Sequence, residues 1–260
     1  FTPMRTNYLL PTYFFLILGF FPLFSRSQTN PLDSNLNIRI FSIGGGQQVP
    51  IGLLSQRFGS NSQISFEFHQ QRSSSWILGF QGGWMFGNQL REDSILRGLT
   101  TTTGDLISES GIFANYSLSQ RGIHAFLHLG RRLRTPWSPN PSSGFTTQLG
   151  LGFLQHKIRI EAPYSNIPSI QGDYKKGYDR LTFGPAGQLS FGYQYLGNNR
   201  RTNFYIGLDY QLGLTKNRRT VNFDTGMSDP QLRFDQLIGV KLLWSLPLYK
   251  RSENDYYFFD

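Results

Sequence analysis

Three stretches of the chain alternate between apolar and polar side chains over unusual lengths. From Arg180 to Tyr195 the odd positions read Leu181, Phe183, Pro185, Gly187, Leu189, Phe191, Tyr193 and Tyr195, while the even ones carry Arg180, Thr182, Gly184, Ala186, Gln188, Ser190, Gly192 and Gln194. From Thr202 to Thr215, Phe204, Ile206, Leu208, Tyr210, Leu212 and Leu214 oppose Asn203, Tyr205, Gly207, Asp209, Gln211 and Gly213. From Arg233 to Leu246, Phe234, Ile238, Val240, Leu242 and Trp244 oppose Arg233, Asp235, Gly239, Lys241 and Ser245. Period two predicts strands with two unlike faces. Their length of 14 to 16 residues decides between kinds of strand. Strands of globular proteins usually stop at ~5 to 6 residues, and a tilted membrane-crossing strand needs ~9 to 11. Weaker copies run over Leu36 to Gly46, Ser62 to Gln70, Ser75 to Phe86, Gly111 to Leu118, Gly122 to Arg132 and Gly144 to Ile160. That makes nine candidate strands, with a phase slip at Leu154 to His156 that reads as a bulge.

Backbone groups in lipid must pair internally, so amphipathic strands cross a membrane only as a closed barrel. Rings gather near strand ends, as in Trp76, Trp84 and Phe86, in Tyr193 and Tyr195, and in Trp244 and Tyr249. Aromatic girdles flank the apolar band of such barrels. A sandwich or lipocalin-like barrel would turn its apolar face inward, yet the polar face here is rich in Gly, Ser and Gln, which suits a narrow lumen better than a solvent shell. The predicted fold is all-β: a transmembrane antiparallel up-and-down β-barrel. Single-chain bacterial barrels have even strand numbers. Eight is expected, with Leu36 to Gly46 failing to cross, and ten is the alternative, with Asp255 to Phe259 added. Gln71 to Ser74, Ser119 to Arg121 and Gly197 to Arg200 read as short periplasmic turns, and Asn88 to Asp105, Ala162 to Tyr178 and Lys216 to Pro230 as outside loops. These assignments conflict, because two strands separate the turn at Ser119 from the stretch at Ala162.

The start adds a compartment. Met4-Arg5 precedes the apolar run Tyr8 to Phe24, which Pro11 and Pro22 interrupt, and Ser25-Arg26-Ser27 follows. That is the pattern of a secretory signal. It predicts residues 1–27 as a cleaved leader, with 1–3 upstream of the true start, and 28–260 as the barrel. The remaining chain holds 23 basic and 16 acidic residues, a formal charge of +7. With no cysteine among 260 residues and 16% charged residues, disulfide scaffolds, zinc-thiolate sites, lipoprotein anchoring and charge-driven disorder fall away.

Candidate chemistry is thin. Polar and charged residues predicted to face inward are Glu67, His124, His128, Arg180, Asp209, Arg233, Asp235 and Lys241. In a lumen too narrow for a channel such groups must pair with one another. His124 and His128 have metal-ligand spacing for a helix, but on a strand they lie about 13 to 14 Å apart. His69 and His156 have no neighbouring carboxylate cluster in the sequence. No G-x-S-x-G elbow is present, and no catalytic set or cofactor is predicted. Arg131-Arg132-Leu133-Arg134, Lys175-Lys176, Arg200-Arg201 and Arg218-Arg219 fall at strand ends, where they would meet phosphates of lipopolysaccharide or other anionic headgroups. Export argues against nucleic acid. Asp173, Tyr174, Lys175, Lys176 and Tyr178 mix rings with both charges and form a candidate partner loop, or a loop tied to the rim by Asp179 and Arg180.

Segments such as PIGLLSQRFGSNSQISFEF (Pro50 to Phe68), GDYKKGYDRLTFG (Gly172 to Gly184) and RFDQLIGVKLLWSLPLY (Arg233 to Tyr249) resemble those of small outer-membrane β-barrel proteins of the Bacteroidota. The resemblance spans nearly the whole mature chain and carries no catalytic motif. It implies a protein of the Gram-negative outer membrane, described for this class as porin-like or as an accessory part of secretion and envelope-assembly machinery. The expectation is a non-enzymatic scaffold or accessory subunit, contacting outer-membrane lipid, lipopolysaccharide and a protein partner. A small porin-like channel and a barrel enzyme acting on lipid or peptide are the alternatives. One departure is the end of the chain, where Tyr256-Tyr257-Phe258-Phe259 is followed by Asp260.

Overall fold

A computed structural model describes residues 37–249, apart from 93, 164, 165, 199 and 200. The leader 1–27 and the tail 255–259 lie outside the described residues. Ten strands occur in chain order: β1 (Ile38–Ile51), β2 (Asn61–Gln71), β3 (Trp76–Gly87), β4 (Leu106–Ile107), β5 (Phe113–Ala114), β6 (Ser117–Leu133), β7 (Gly144–Glu161), β8 (Thr182–Leu196), β9 (Asn203–Asn217) and β10 (Leu232–Tyr249). Eight of them close a barrel in the order β1, β2, β3, β6, β7, β8, β9, β10. Every neighbour is antiparallel, and β1 pairs with β10 from Ile38 opposite Tyr249 to Ile51 opposite Gln236. Strands β4 and β5 form a separate two-residue hairpin.

Eight is therefore the count, but by another route. Leu36 to Gly46 does cross, as part of β1, whose alternation is masked by Gly44-Gly45-Gly46. Gly111 to Leu118 does not cross by itself: Phe113 and Ala114 belong to the hairpin, and only Ser117 and Leu118 open β6. The supposed turn at Ser119 to Arg121 lies inside a continuous ladder, with Ser119 opposite Arg159 and Arg121 opposite Lys157. This removes the conflict between turns and loops. Connections 72–75, 134–143 and 197–202 lie at one end of the barrel, and 52–60, 88–116, 162–181 and 218–231 at the other.

The expected bulge in β7 is also absent, since its pairing with β6 runs unbroken through Leu154, Gln155 and His156. What changes there is chemistry rather than phase. The inward residues of β7 go from Thr146 and Gln148 to Leu154, Ile158 and Ile160, all buried. Apolar residues on the inner face look like a slip only if the inner face is polar throughout.

Outside, the wall is apolar. Leu151 is 77% exposed, Leu127 68% and Leu149 65%, fractions that water would penalise heavily over a continuous surface. On β6 the outward side chains between Arg121 and Arg131 are Ile123, Ala125, Leu127 and Leu129. Ten residues at ~3.4 Å, tilted by ~40°, span roughly 26 Å, the height of a barrel's lipid-facing band. Trp76 opposite Arg131 marks one border, and Phe86 opposite Arg121 the other. Among the described residues no helix is long and apolar enough to cross a membrane, so any crossing is by the strands.

Candidate functional site

Alternation points large polar side chains from six strands into one small lumen. Lys241 of β10 is 2% exposed. Its Nζ donates to Glu67 Oε1 of β2 at 2.5 Å and to Gln81 Oε1 of β3 at 3.2 Å, and lies 3.1 Å from Asp209 Oδ2 of β9. Gln188 of β8 extends the bridge: its Nε2 donates to Gln81 Oε1 and to Ser190 Oγ, each at 3.2 Å, and its Oε1 lies 3.2 Å from His128 Nε2 of β6. Gln81 Nε2 reaches His124 Nε2 at 3.4 Å. The ammonium of Lys241 sits 5.3 Å from the centre of the Tyr205 ring. This network spans the lumen from wall to wall.

Inward glycines make room for it. A Cβ on Gly83 would come within 2.6 Å of the His124 ring, and one on Gly207 within 2.4 Å of the Tyr205 hydroxyl. Small residues opposite large ones fill the taper of a narrow barrel.

Toward the long-loop end the filling becomes apolar. Met85, Phe126, Leu154, Ala186 and Leu237 face inward and join one buried cluster. Gly52, at φ 61°, turns the chain out of β1 into the single-turn helix α1 (Leu53–Arg57), and Leu54 and Phe58 complete the cluster from above. Ile95, Leu96, Leu106, Ala114, Ile167 and Ile170 add caps from the other long loops. His156 Nε2 meets Asp235 Oδ2 at 2.7 Å beneath Phe58, whose ring stands edge-on 5.5 Å away, and Thr215 donates to the same carboxylate.

Ion pairs stitch the four long loops together. Arg57 Nε lies 2.9 Å from Glu92 Oε2, and burial pushes the Arg57 pKa down against the pull of Glu92. Arg180, in a left-handed conformation at φ 45°, pairs with Glu92 and with Asp224. Such a backbone costs of order 1–3 kcal/mol and holds the guanidinium between two loops. Arg219 donates twice to Asp179, at 2.7 and 2.5 Å, which raises its pKa.

The residues predicted to face inward thus separate into three places. Glu67, His124, His128, Asp209 and Lys241 share the central network. Asp235 belongs to a second pair with His156, a partner 79 positions away in the chain that local sequence cannot reveal. Arg180 and Arg233 are corrections: neither reaches the network, Arg180 because it precedes β8, and Arg233 because it sits at the mouth, paired with Asp229. His124 and His128 flank Phe126, with ring centroids 5.7 and 6.2 Å from it, so they share no ion. In the partner loop, Asp173 pairs with Lys176 at 2.5 Å, Tyr174 is 66% exposed, Lys175 is exposed, and Tyr178 packs edge-on against Phe223 at 5.4 Å. Gln81 and Gln188 were missed because they carry no charge, although alternation puts both on the inner face. Among the described residues no three His, Asp or Glu side chains converge where a metal ion could bind.

Fold and site together define a closed eight-stranded up-and-down barrel with an apolar exterior and a filled lumen. No protein-family model matches the chain, and no curated protein matches it. Among solved structures it is similar to Ail of Yersinia pestis in complex with the heparin analogue sucrose octasulfate, at 11% identity over 82% of this chain and 99% of that one, with a TM-score of 0.39. The outer membrane protein OprG of Pseudomonas aeruginosa matches at 11% identity over 84% and 100%, TM-score 0.38. Neisserial surface protein A matches at 9% over 82% and 97%, TM-score 0.36.

Proposed function

We propose that this chain is an integral barrel of the Gram-negative outer membrane that works through its surfaces, as a non-enzymatic scaffold or accessory subunit of an envelope machine. The observation that carries this reading is the double closure of the lumen. A barrel of ~8 strands has an interior just wide enough for side chains, and here Lys241, Glu67, Asp209, Gln81 and Gln188 bridge it below an apolar plug. Solutes have no path through it, so its working parts are the outer wall and the loops. An export leader at 1–27, the short-turn end in the periplasm and the long loops outside belong to the same reading. A Bacteroidota source rests on the segment resemblance alone.

The test is extraction from outer membranes in mild detergent, with mass spectrometry of whatever stays bound and a heat-modifiability gel alongside. A heat-shifted band with a stoichiometric protein partner is the expected result. A heat-shifted band with no partner, together with stepwise conductance in planar bilayers, overturns it in favour of a channel.

A further inference from the structure

Toward the long-loop end, the apolar outer wall gives way to a cluster of cations. Phe86, Arg121 and Lys157 lie side by side across β3, β6 and β7 and point outward, and the row beneath them is Trp84, Ile123 and Gln155. These side chains line a groove of about 310 Å³. Above it, and sharing Arg121 and Lys157, is a hollow of about 430 Å³ bordered by Arg159, Lys175, Lys176 and Arg219.

The carboxylates at this place are already engaged. Glu161 pairs with Arg159, Asp179 with Arg219, and Asp173 with Lys176. Arg121 donates from Nη1 to the Gln120 carbonyl, 2.8 Å away. Arg121, Lys157 and Lys175 have no ion-pair partner among the described residues. Three uncompensated cations therefore meet at the border of the apolar band, directly above an aromatic and aliphatic wall.

From this juxtaposition we infer a lipid site: a lipid of the outer leaflet that carries more than one phosphate seats its phosphates among Arg121, Lys157 and Lys175 and lays an acyl chain against Trp84, Phe86 and Ile123. The inference rests on the membrane reading above, which puts this wall in the bilayer with the long loops outside. Charge complementarity selects the occupant. A zwitterionic headgroup leaves three cations unneutralised, and a single phosphodiester answers one of them. The wall beneath the cations distinguishes this site from an anion site for free phosphate, which has no use for Trp84 and Phe86. A basic residue near an anionic lipid surface contributes about 1 kcal/mol, so neutralising one cation is expected to weaken binding about fivefold, and neutralising all three about 100-fold.

The full-length barrel in non-ionic detergent is titrated with a bisphosphorylated acyl disaccharide, with phosphatidylglycerol and with phosphatidylcholine, and adducts are counted by native mass spectrometry. The expected order is bisphosphorylated lipid first, phosphatidylglycerol well behind and phosphatidylcholine last. The triple variant Arg121→Gln, Lys157→Gln, Lys175→Gln should lose about 100-fold for the first lipid, and Lys175→Gln alone, on an exposed turn, about fivefold. Arg39→Gln, on the outer wall at the opposite end, should change nothing. Equal binding of the three lipids, an undiminished triple variant, or an equal loss in Arg39→Gln would each overturn the site while a heat-shifted band still reports a folded barrel. A wild-type chain that stays soluble without detergent would overturn the membrane reading beneath it.

Discussion

Midway along the barrel the lumen is bridged by one ammonium, two carboxylates, glutamines and histidines, whereas toward the long loops it is filled by Phe58, Leu54, Met85, Leu154 and Leu237. Both regions exclude solvent, and both are buried to a few per cent exposure or less. They differ in how each side chain depends on its neighbours. In the polar layer Lys241 answers Glu67 and Asp209 at once, so each group is tolerable only while the others are present. In the apolar layer each side chain contributes its own buried volume, and neighbours can relax around a loss. The polar layer is rigidly specified by strands. The apolar layer depends on loops folding back over the mouth.

The sharpest way to break this comparison is Lys241→Met. It leaves two carboxylates buried side by side, and we expect a loss of about 3–5 kcal/mol, read from urea unfolding of the heat-shifted band. Adding Glu67→Gln and Asp209→Asn should restore most of that loss. If the triple variant is as unstable as the single one, the layer is not an interdependent unit.

Phe58→Ala should cost about 3 kcal/mol, with the loss appearing as faster proteolysis of the 88–116 and 162–181 loops rather than of the strands. Deleting residues 53–58 should open no steady conductance, because the Lys241 network still spans the lumen. The same deletion combined with Lys241→Ser and Glu67→Ser should conduct. Conductance from the loop deletion alone would show that the polar layer does not close the lumen.

A smaller effect separates rim from lumen. Arg180→Gln leaves Asp224 without its partner and Glu92 with Arg57 alone, and should cost about 1–2 kcal/mol, less than a lumen pair because the rim is partly wetted. Nicking within 218–231 under limited proteolysis would report it. The smallest effect is Asp173→Asn. Lys176 holds the Asp173 carboxyl below its ordinary range, so any contribution is present at neutral pH and is lost as pH falls through that lowered value. Asp173 is fully exposed, and we expect the unfolding midpoint to stay unchanged.

Much of the fold was legible because period two carries two facts at once, the strand and its two environments. Phe204, Ile206, Leu208 and Tyr210 face out and Tyr205, Gly207 and Asp209 face in, as their order in the chain implies. The rule failed where the inner face stops being polar. Leu154 to His156 reads as a bulge in the sequence, although the inward parity of Leu154, His156, Ile158 and Ile160 continues unbroken. It failed again at Ser119 to Arg121, which reads as a turn although β6 runs on through it, because strict alternation ends beyond the apolar band, where Ser119 and Gln120 are both buried. Glu67, Asp209 and Lys241 could be placed inward one by one, but their meeting could not. That depends on strand tilt and register, which bring positions 67, 209 and 241 together.

Local sequence thus determined the strands, their apolar outward side and the inward placement of most buried charges, because each of these depends on the environment a single side chain needs. Tertiary structure decided the strand count, the partner of each charge, the folding of loops over the mouth, and the gathering of Arg121, Lys157 and Lys175 above an apolar groove. Those depend on distances between residues far apart in the chain, which only closure of the barrel sets.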